Sequence, residues 1–440
     1  MADLLELARL ACREAVHAGA DFADASLRTD RKVSVSVEKS GIHNAQETIS
    51  AGVSIRAIVN GATAFVTASE TGMEEVLSAA RSATEAARLA QRDPDFVSLP
   101  EKSEYRDIEG LYDDAVAAMS VGQLIETVGE GIDEAREVHS DVTVSGSAGL
   151  SVSHGALANS LGVEAESRHT SASTYFFCVV RKGDDVGSFY DFTRGRVLDD
   201  YHPRGLGRKA CEGAVSFLGA RSMRSGTLPV IAGPLASDSI FESIADAASA
   251  EHIQRKRSWL VDKIGQRIGT DLLAVTDDAF IPRGLGSGSF DGEGAARTPI
   301  TIVEDGVLRS HLYGSYTANK EGVANTGHGT RGKGVTCTNV NPRLGNTLAA
   351  DIIRDTPEGI YIVLGSLAPD LASGEVSSTV DFGYKIENGE LAYPLKSTMM
   401  GMNMFDLLAN IDVISSDYRQ EPGQVLPTVR IQNVKIAGSE

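Results

Sequence analysis

The chain has 440 residues, of which 42% are apolar, and its 60 acidic and 41 basic side chains give a formal net charge of −19. This length predicts two domains that each bury a core. The negative charge repels a phosphate backbone, so we expect no direct binding of nucleic acid. No apolar run approaches the roughly 20 residues that cross a bilayer, and the N-terminal residues lack a signal-peptide pattern. We therefore expect a cytoplasmic protein without a membrane segment.

The four cysteines are scattered along the chain and never stand in a closely spaced pair. They are Cys12, Cys178, Cys211 and Cys337. Such spacing predicts reduced thiols in a reducing compartment rather than a disulfide framework or a zinc framework.

The first half of the chain alternates between helical and extended patterns. Residues 3–18 carry apolar side chains at helical spacing, and residues 24–68 alternate apolar with polar side chains. Within that second stretch, Asn60-Gly61 is the clearest hairpin signal in the chain. Further segments follow as helices at 71–90 and 120–138, strands at 142–154 and 168–182, and a helix at 206–217. This order predicts an N-terminal α+β domain over residues 1–222 with an antiparallel sheet.

The second half opens with a strand pattern at 226–232 and then a helix pattern from Leu235 to Ile253. The apolar side chains of this helix form one stripe, and acidic side chains lie on another side. Two β-rich runs between Thr298 and Tyr313 are joined by an Asp305-Gly306 turn, which is typical of a hairpin. We predict a β-rich, antiparallel domain over residues 223–440 that is barrel-like or sandwich-like.

Several short sequence motifs follow that helix. They are KIGQRIG at 263–269, Asp277-Asp278, FDGEG at 290–294, EDGVL at 304–308, TANKEG at 317–322 and NTGHG at 325–329. Their order resembles the TldD/PmbA family, described as modulators of DNA gyrase and as intracellular metallopeptidases. Over residues 225–440 many motifs resemble those of the family. Over residues 1–220 the resemblance is looser and is limited to the order of the predicted elements.

One departure from the family pattern concerns the helix from Leu235 to Ile253. In the catalytic TldD-type subunit this helix carries a His-Glu-x-x-x-His run, in which two imidazoles share a zinc ion and the Glu is a general base. Here the ligand positions fall on Phe241 and Asp246, or, one residue later, on Glu242 and Ala247. Neither register supplies two histidines.

The chain therefore resembles the TldE/PmbA type, the partner subunit that completes a complex with a metal-bearing TldD-type chain. This resemblance implies a cytoplasmic complex that processes peptides, with no cofactor in this chain and with zinc or iron in the TldD-type partner. It implies no catalytic residue here, and the chain is expected to be inactive alone.

Six side chains are candidates for a substrate groove or a subunit interface. They are Asp238, Glu242, Asp246, His252, His328 and Arg331. The three acidic residues stand four apart on the helix and could hold a hard metal or polarise a water molecule, but a solvated helix face is the commoner meaning of such a pattern. His328 and Arg331 belong to the Gly-rich segment 327–334, which we predict to be a flexible surface loop.

Two other functions remain open. One is a self-sufficient, divergent metalloenzyme that uses Glu242, Asp246 and a histidine to tailor a peptide-derived metabolite. The other is a homodimer that binds peptides without catalysis. Stoichiometric metal in the isolated protein would favour the first, and catalysis that appears only after a TldD-type chain is added would count against the second.

Overall fold

The computed structural model describes residues 3–439. Its helices are α1 (Leu4–His17), α2 (Met73–Leu89), α3 (Asp114–Ala117), α4 (Val121–Val138), α5 (Leu206–Ser216), α6 (Pro234–Ala247), α7 (Ala250–Gln254), α8 (Ser315–Glu321), α9 (Ala349–Arg354) and α10 (Met404–Ala409). Its strands in the first half are β1 (Phe22–Glu38), β2 (Gly41–Val59), β3 (Ala62–Ala68), β4 (Thr143–Asn159), β5 (Glu164–Lys182) and β6 (Asp185–Gly195). Those in the second half are β7 (Gly226–Gly233), β8 (Val275–Asp277), β9 (Ile300–Glu304), β10 (Val307–Leu308), β11 (Val340–Pro342), β12 (Glu358–Leu364), β13 (Glu375–Thr379), β14 (Phe382–Glu387), β15 (Glu390–Pro394), β16 (Met399–Asn403), β17 (Ile411–Glu421) and β18 (Gln424–Ala437).

The first half forms one six-stranded sheet in the order β3-β2-β1-β4-β5-β6, and all of its neighbours are antiparallel. The predicted hairpin at Asn60-Gly61 is confirmed, since β2 pairs with β3 across these two residues. Both have positive φ, 51° at Asn60 and 77° at Gly61, which is the backbone that a two-residue turn of this kind requires.

The helices of the first half pack on one face of this sheet. Ala23, Ala25 and Leu27 of β1 share a core with α1 and α2, and Val33 and Val35, further along the strand, share one with α4 and α5. Because side chains alternate along a strand, these odd-numbered residues lie on the same face. The even-numbered residues of β1 face the other way, toward the second half of the chain.

The second half contains an eight-stranded sheet and a four-stranded sheet. The larger has the order β13-β16-β18-β7-β12-β14-β15, with β17 paired to β18, and the smaller has the order β10-β9-β8-β11. Pairing is antiparallel except between β7 and β12. The α+β class is confirmed, whereas the barrel alternative is wrong for the described residues because neither sheet closes on itself.

The helix predicted from Leu235 to Ile253 is two helices in the structure. The helix α6 ends at Ala247, and α7 begins at Ala250. Between them the backbone leaves the helix because Ser249 forms a bridge with Leu312, and Ala250 N–H donates to the Leu312 carbonyl at 2.9 Å. His252 therefore lies on α7 and not on the same helix as the acidic residues.

Candidate functional site

The helix α6 follows directly from β7 and begins with Pro234 at its first position. A proline is well tolerated there because the backbone N–H that it lacks would have no acceptor within the helix. Its apolar stripe, which includes Ile240, Phe241 and Ile244, is buried in the core of the second half. The side chain of Phe241 is only 1% exposed. The face of α6 that carries Phe241 is therefore a packing surface.

The opposite side of α6 carries Glu242 and Asp246, and both side chains are exposed. The Nε2 of Gln424 lies 3.4 Å from Glu242 Oε1, and the Nε2 of His252 lies 3.4 Å from Asp246 Oδ1. The structure thus brings together three of the predicted residues, Glu242, Asp246 and His252, along one side of α6 and α7.

Asp238 lies one turn before Glu242 on α6 and is partly buried. Burial raises the pKa of Asp238 to about 7, and the charges of Glu242 and Glu421 act in the same direction, while Arg194 opposes them. This carboxyl group can therefore exchange a proton near neutral pH.

Cys337 lies close to the acidic side of α6. Burial raises the pKa of its thiol to about 12, and the charges of Asp277, Glu242 and Asp246 add to this effect. The thiol is protonated at neutral pH and is a poor nucleophile or metal ligand in this state.

The segment 327–334 is a surface loop only in its second part, where Thr330 and Lys333 are exposed. His328 is fully buried, and Gly327 and Gly329 are buried as well. The His328 ring lies between two partners, with Nδ1 2.9 Å from Thr326 Oγ1 and Nε2 3.0 Å from Asp277 Oδ1. The prediction is wrong for residues 327–329 because glycine allows a segment to pack closely against other backbone as readily as it allows motion.

Arg331, in the same segment, reaches the first half of the chain. Its Nε donates to Asp24 Oδ1 at 2.9 Å, and its Nη2 donates to the same carboxylate. Asp24 also accepts from Arg56, and Arg56 Nη1 in turn donates to Glu293 Oε1 at 3.0 Å. These four residues form a charged network between the first sheet and the loops of the second half.

Sequence reasoning missed Asp24, Arg56, Glu293 and Asp277 as members of buried polar clusters. A signal was present for Arg56, which stands between Ile55 and Ala57 in an otherwise apolar strand end. A charged residue at such a position requires a buried counter-charge. The identity of that counter-charge depends on residues far away in the chain.

The donor set on α6 and α7 does not fit a zinc site. The described residues 3–439 contain no group of three or more His, Cys, Asp or Glu side chains placed to hold a metal ion. Of the ligand positions in the two registers, Phe241 is an apolar side chain in the core and Ala247 is 0% exposed. A tetrahedral site requires several converging donors, and neither register provides the pair of imidazoles.

The chain matches the models of one protein family over most of its length. Three family models match in succession: PmbA/TldA metallopeptidase domain 1 at residues 23–87, the central domain at 114–218 and the C-terminal domain at 225–438. The chain belongs to the PmbA/TldD metallopeptidase family.

The relatives that have names are distant in sequence, but the matches extend over most of this chain. A metalloprotease from Methanothermobacter thermautotrophicus is 26% identical, and the match covers 95% of this chain and 96% of that protein. The metalloprotease PmbA homolog from Buchnera aphidicola is also 26% identical, over 64% of this chain and 62% of its own length. Their names imply metal use by those proteins.

Solved structures have the same fold. TldE from Thermococcus kodakarensis superposes with a TM-score of 0.89 at 25% identity, and the match covers 98% of this chain and 99% of that one. A protein from Thermotoga maritima named as a candidate modulator of DNA gyrase has a TM-score of 0.88 at 24% identity, with 98% and 99% covered.

Among the described residues, no helix has both the length and the apolar composition that crossing a membrane requires.

Proposed function

We propose that this chain is the TldE/PmbA-type, non-catalytic partner subunit of a cytoplasmic TldD/TldE-type metallopeptidase complex that processes peptides. The main support for the proposal is the identity of the residues on α6 where the catalytic type has its metal ligands. At the positions where the catalytic type has two histidines, one register has a core phenylalanine, Phe241, and the other has the enclosed Ala247. Neither register therefore presents two imidazoles to one metal ion.

The remaining side of α6 supports a role beside a neighbour's metal site. Glu242, Asp246 and His252 are grouped there and reach the surface. We propose that this side borders a shared substrate groove, and that His328 and Arg331 act from inside by holding the segment 327–334 in place. Asp238, one turn before Glu242 on α6, would add a proton-exchanging group.

An uncovered strand edge also supports a partner. Residues 41–50 of β2 are exposed and, among the described residues, pair only with β1, since β3 covers β2 only from Val53 onward. Ile49 on this stretch is 77% exposed. An open edge with apolar side chains is a surface to which another strand can add.

We also propose that the domain division falls between residues 222 and 223.

The test is metal content combined with reconstitution. The purified chain, prepared without chelators, is assayed for zinc and iron by mass spectrometry and then mixed with a TldD-type chain and unstructured peptides. We expect no stoichiometric metal, no cleavage by the chain alone, and cleavage in the mixture. A TldD-type chain with one motif histidine replaced by alanine is the matched control and should be inactive.

Two results would overturn the proposal. Stoichiometric zinc or iron that is lost in Glu242→Ala or His252→Ala would make the chain a divergent metalloenzyme in its own right. A stable homodimer that binds peptides and gives no cleavage with any TldD-type chain would make it a peptide-binding protein.

A further inference from the structure

A cavity lies away from α6, between the two halves of the chain. Its volume is about 680 Å³, within the range of small-molecule binding sites. Its floor is the helix-free face of the first sheet, where Ser26, Ser151, Ser153, Ser167 and Ser171 line it with hydroxyl groups. Residues 288–292 of the second half lie across from this floor. The cavity is therefore polar and is shared by both halves.

Arg196 in the wall of this cavity is a buried cation without a carboxylate partner. Its side chain donates to three backbone carbonyls, those of Gly284 at 2.8 Å, Thr170 at 3.4 Å and Leu285 at 2.6 Å. Among the described residues it forms no ion pair, and burial lowers its pKa to about 10. A guanidinium group has five N–H donors, so donors remain for another acceptor.

Two further buried nitrogens at the cavity lack hydrogen-bond partners among the described residues. They are Arg297 Nη1 and His169 Nδ1. Burial lowers the pKa of His169 to about 4, and the charges of Arg196 and Arg28 contribute, so these cations stand close to the ring. Buried polar nitrogens of this kind normally have a hydrogen-bond partner.

Arg28 and Arg168 also line the cavity, which brings the number of lining arginines to four. Of these, Arg28 pairs with Asp30 at 2.8 Å. Three acidic residues line it as well, and two of these have partners of their own. Asp291 accepts from the backbone N–H groups of Glu293, Ala295 and Gly329, and Glu166 lies 3.4 Å from His154. In a chain with a net charge of −19, such a concentration of cations is unusual.

We propose that this cavity binds the carboxylate or phosphate group of a small anionic ligand, held by Arg196, Arg297 and His169. An oxyanion accepts several hydrogen bonds at once, and its negative charge would serve as the counter-charge for the Arg196 guanidinium group. Serine hydroxyls on the floor can bind the rest of a polar ligand. This proposal concerns a site away from α6 and does not depend on the partner-subunit proposal.

The test is isothermal titration calorimetry on the whole chain with three probes: inorganic phosphate, trialanine with a free C-terminal carboxylate, and trialanine amide. We expect binding of phosphate or of trialanine acid and none of the amide. Binding of the acid alone identifies a carboxylate site, and binding of phosphate alone identifies a phosphate site.

Variants assign the binding to this cavity. We expect Arg196→Gln and Arg297→Gln to weaken binding at least about tenfold, because each removes a charge-assisted hydrogen bond. Arg28→Gln and His169→Asn are included in case the buried arginines are needed for folding, and they should weaken binding several-fold. Arg181→Gln, an exposed arginine at the far end of β5, is the matched control and should bind as the original chain does.

The proposal fails if neither phosphate nor trialanine acid binds at millimolar concentration. It also fails if binding is the same in all four cavity variants as in Arg181→Gln, because the anion would then bind elsewhere.

Discussion

His328 Nε2 lies 3.0 Å from Asp277 Oδ1, and both side chains are completely enclosed. Asp277 also accepts from Thr338, through its backbone N–H at 2.6 Å and through its hydroxyl. Burial by itself raises the pKa of Asp277, but the hydrogen bonds and charge of His328, together with the bonds from Thr338, outweigh it, so this pKa lies below its ordinary value. This carboxylate therefore fixes His328 of the Gly-rich segment to β8 and holds Thr338, two residues before β11, at the same place.

Replacing Asp277 with alanine should lower the free energy of unfolding by about 2–4 kcal/mol, because His328 and Thr338 lose a buried acceptor. Among the described residues, the side chain of the neighbouring Asp278 accepts only from Phe280 N–H, within its own turn, and Asp278→Ala should cost about 1 kcal/mol. Urea unfolding of both variants measures the difference. Equal losses would show that the Asp277 contacts do not hold the segment.

The stabilising effect of Asp277 should depend on pH. Its folded pKa is depressed, so the contribution is present above the unfolded pKa of about 4 and is lost as pH falls through the folded value. The gap between the original chain and Asp277→Ala should therefore narrow below about pH 4. Unfolding curves at several pH values test this, and a gap that widens toward acid would contradict it.

Asp238 should act in the opposite sense. Its folded pKa of about 7 is above the ordinary value, so the folded state binds a proton more tightly and stability falls as pH rises from about 4 to 7. Asp238→Asn should remove this loss and be more stable at pH 8 by about 1–2 kcal/mol, a range reduced because solvent screens a partly exposed group. Thermal unfolding between pH 5 and pH 8 measures it. A variant with the pH dependence of the original chain would refute the prediction.

The two sides of α6 should respond differently to truncation. Phe241→Ala removes a core ring and should cost about 3–5 kcal/mol. Asp246→Ala changes an exposed side chain and should alter stability by at most about 0.5 kcal/mol. Chemical denaturation compares the two variants. A large loss in Asp246→Ala alone would mean that α6 is turned with its acidic side inward.

Arg56 should be among the most sensitive residues of the first sheet. Arg56→Ala leaves the buried carboxylates of Asp24 and Glu293 facing an empty position and should cost about 3–5 kcal/mol. Arg81→Ala, which breaks an exposed pair with Glu14, is the control and should cost under about 1 kcal/mol. Adding Glu293→Gln to Arg56→Ala should recover part of the loss. A strictly additive double variant would argue against the pairing.

The elements of the fold could be predicted because their signals are local. The helix α4, the turn at Asn60-Gly61 and the turn at Asp305-Gly306 depend on the spacing of apolar residues and on positive φ, and these are set within a few residues. The break after Ala247 was missed because it depends on a bridge to Leu312, far along the chain.

The candidate site was predictable only in part for the same reason. Glu242 and Asp246 were found on the exposed side of α6 because helical periodicity places them there. The partners of His328 and Arg331 were not found, since Asp277 and Asp24 lie 51 and 307 residues away. Single-sequence patterns contain no information about which distant charges meet.

The charged network of Asp24, Arg56, Glu293 and Arg331 constrains how the sequence of this chain can evolve. The pairs Arg56–Glu293 and Arg331–Asp24 join positions that are 237 and 307 residues apart in the chain. Because each of the four charges is buried or half-buried against its partner, a substitution at one position should be least harmful when its partner changes to match. We therefore expect these positions to vary in concert among relatives, and a chimera that takes its first half from a distant relative to fold only when all four are exchanged as a set.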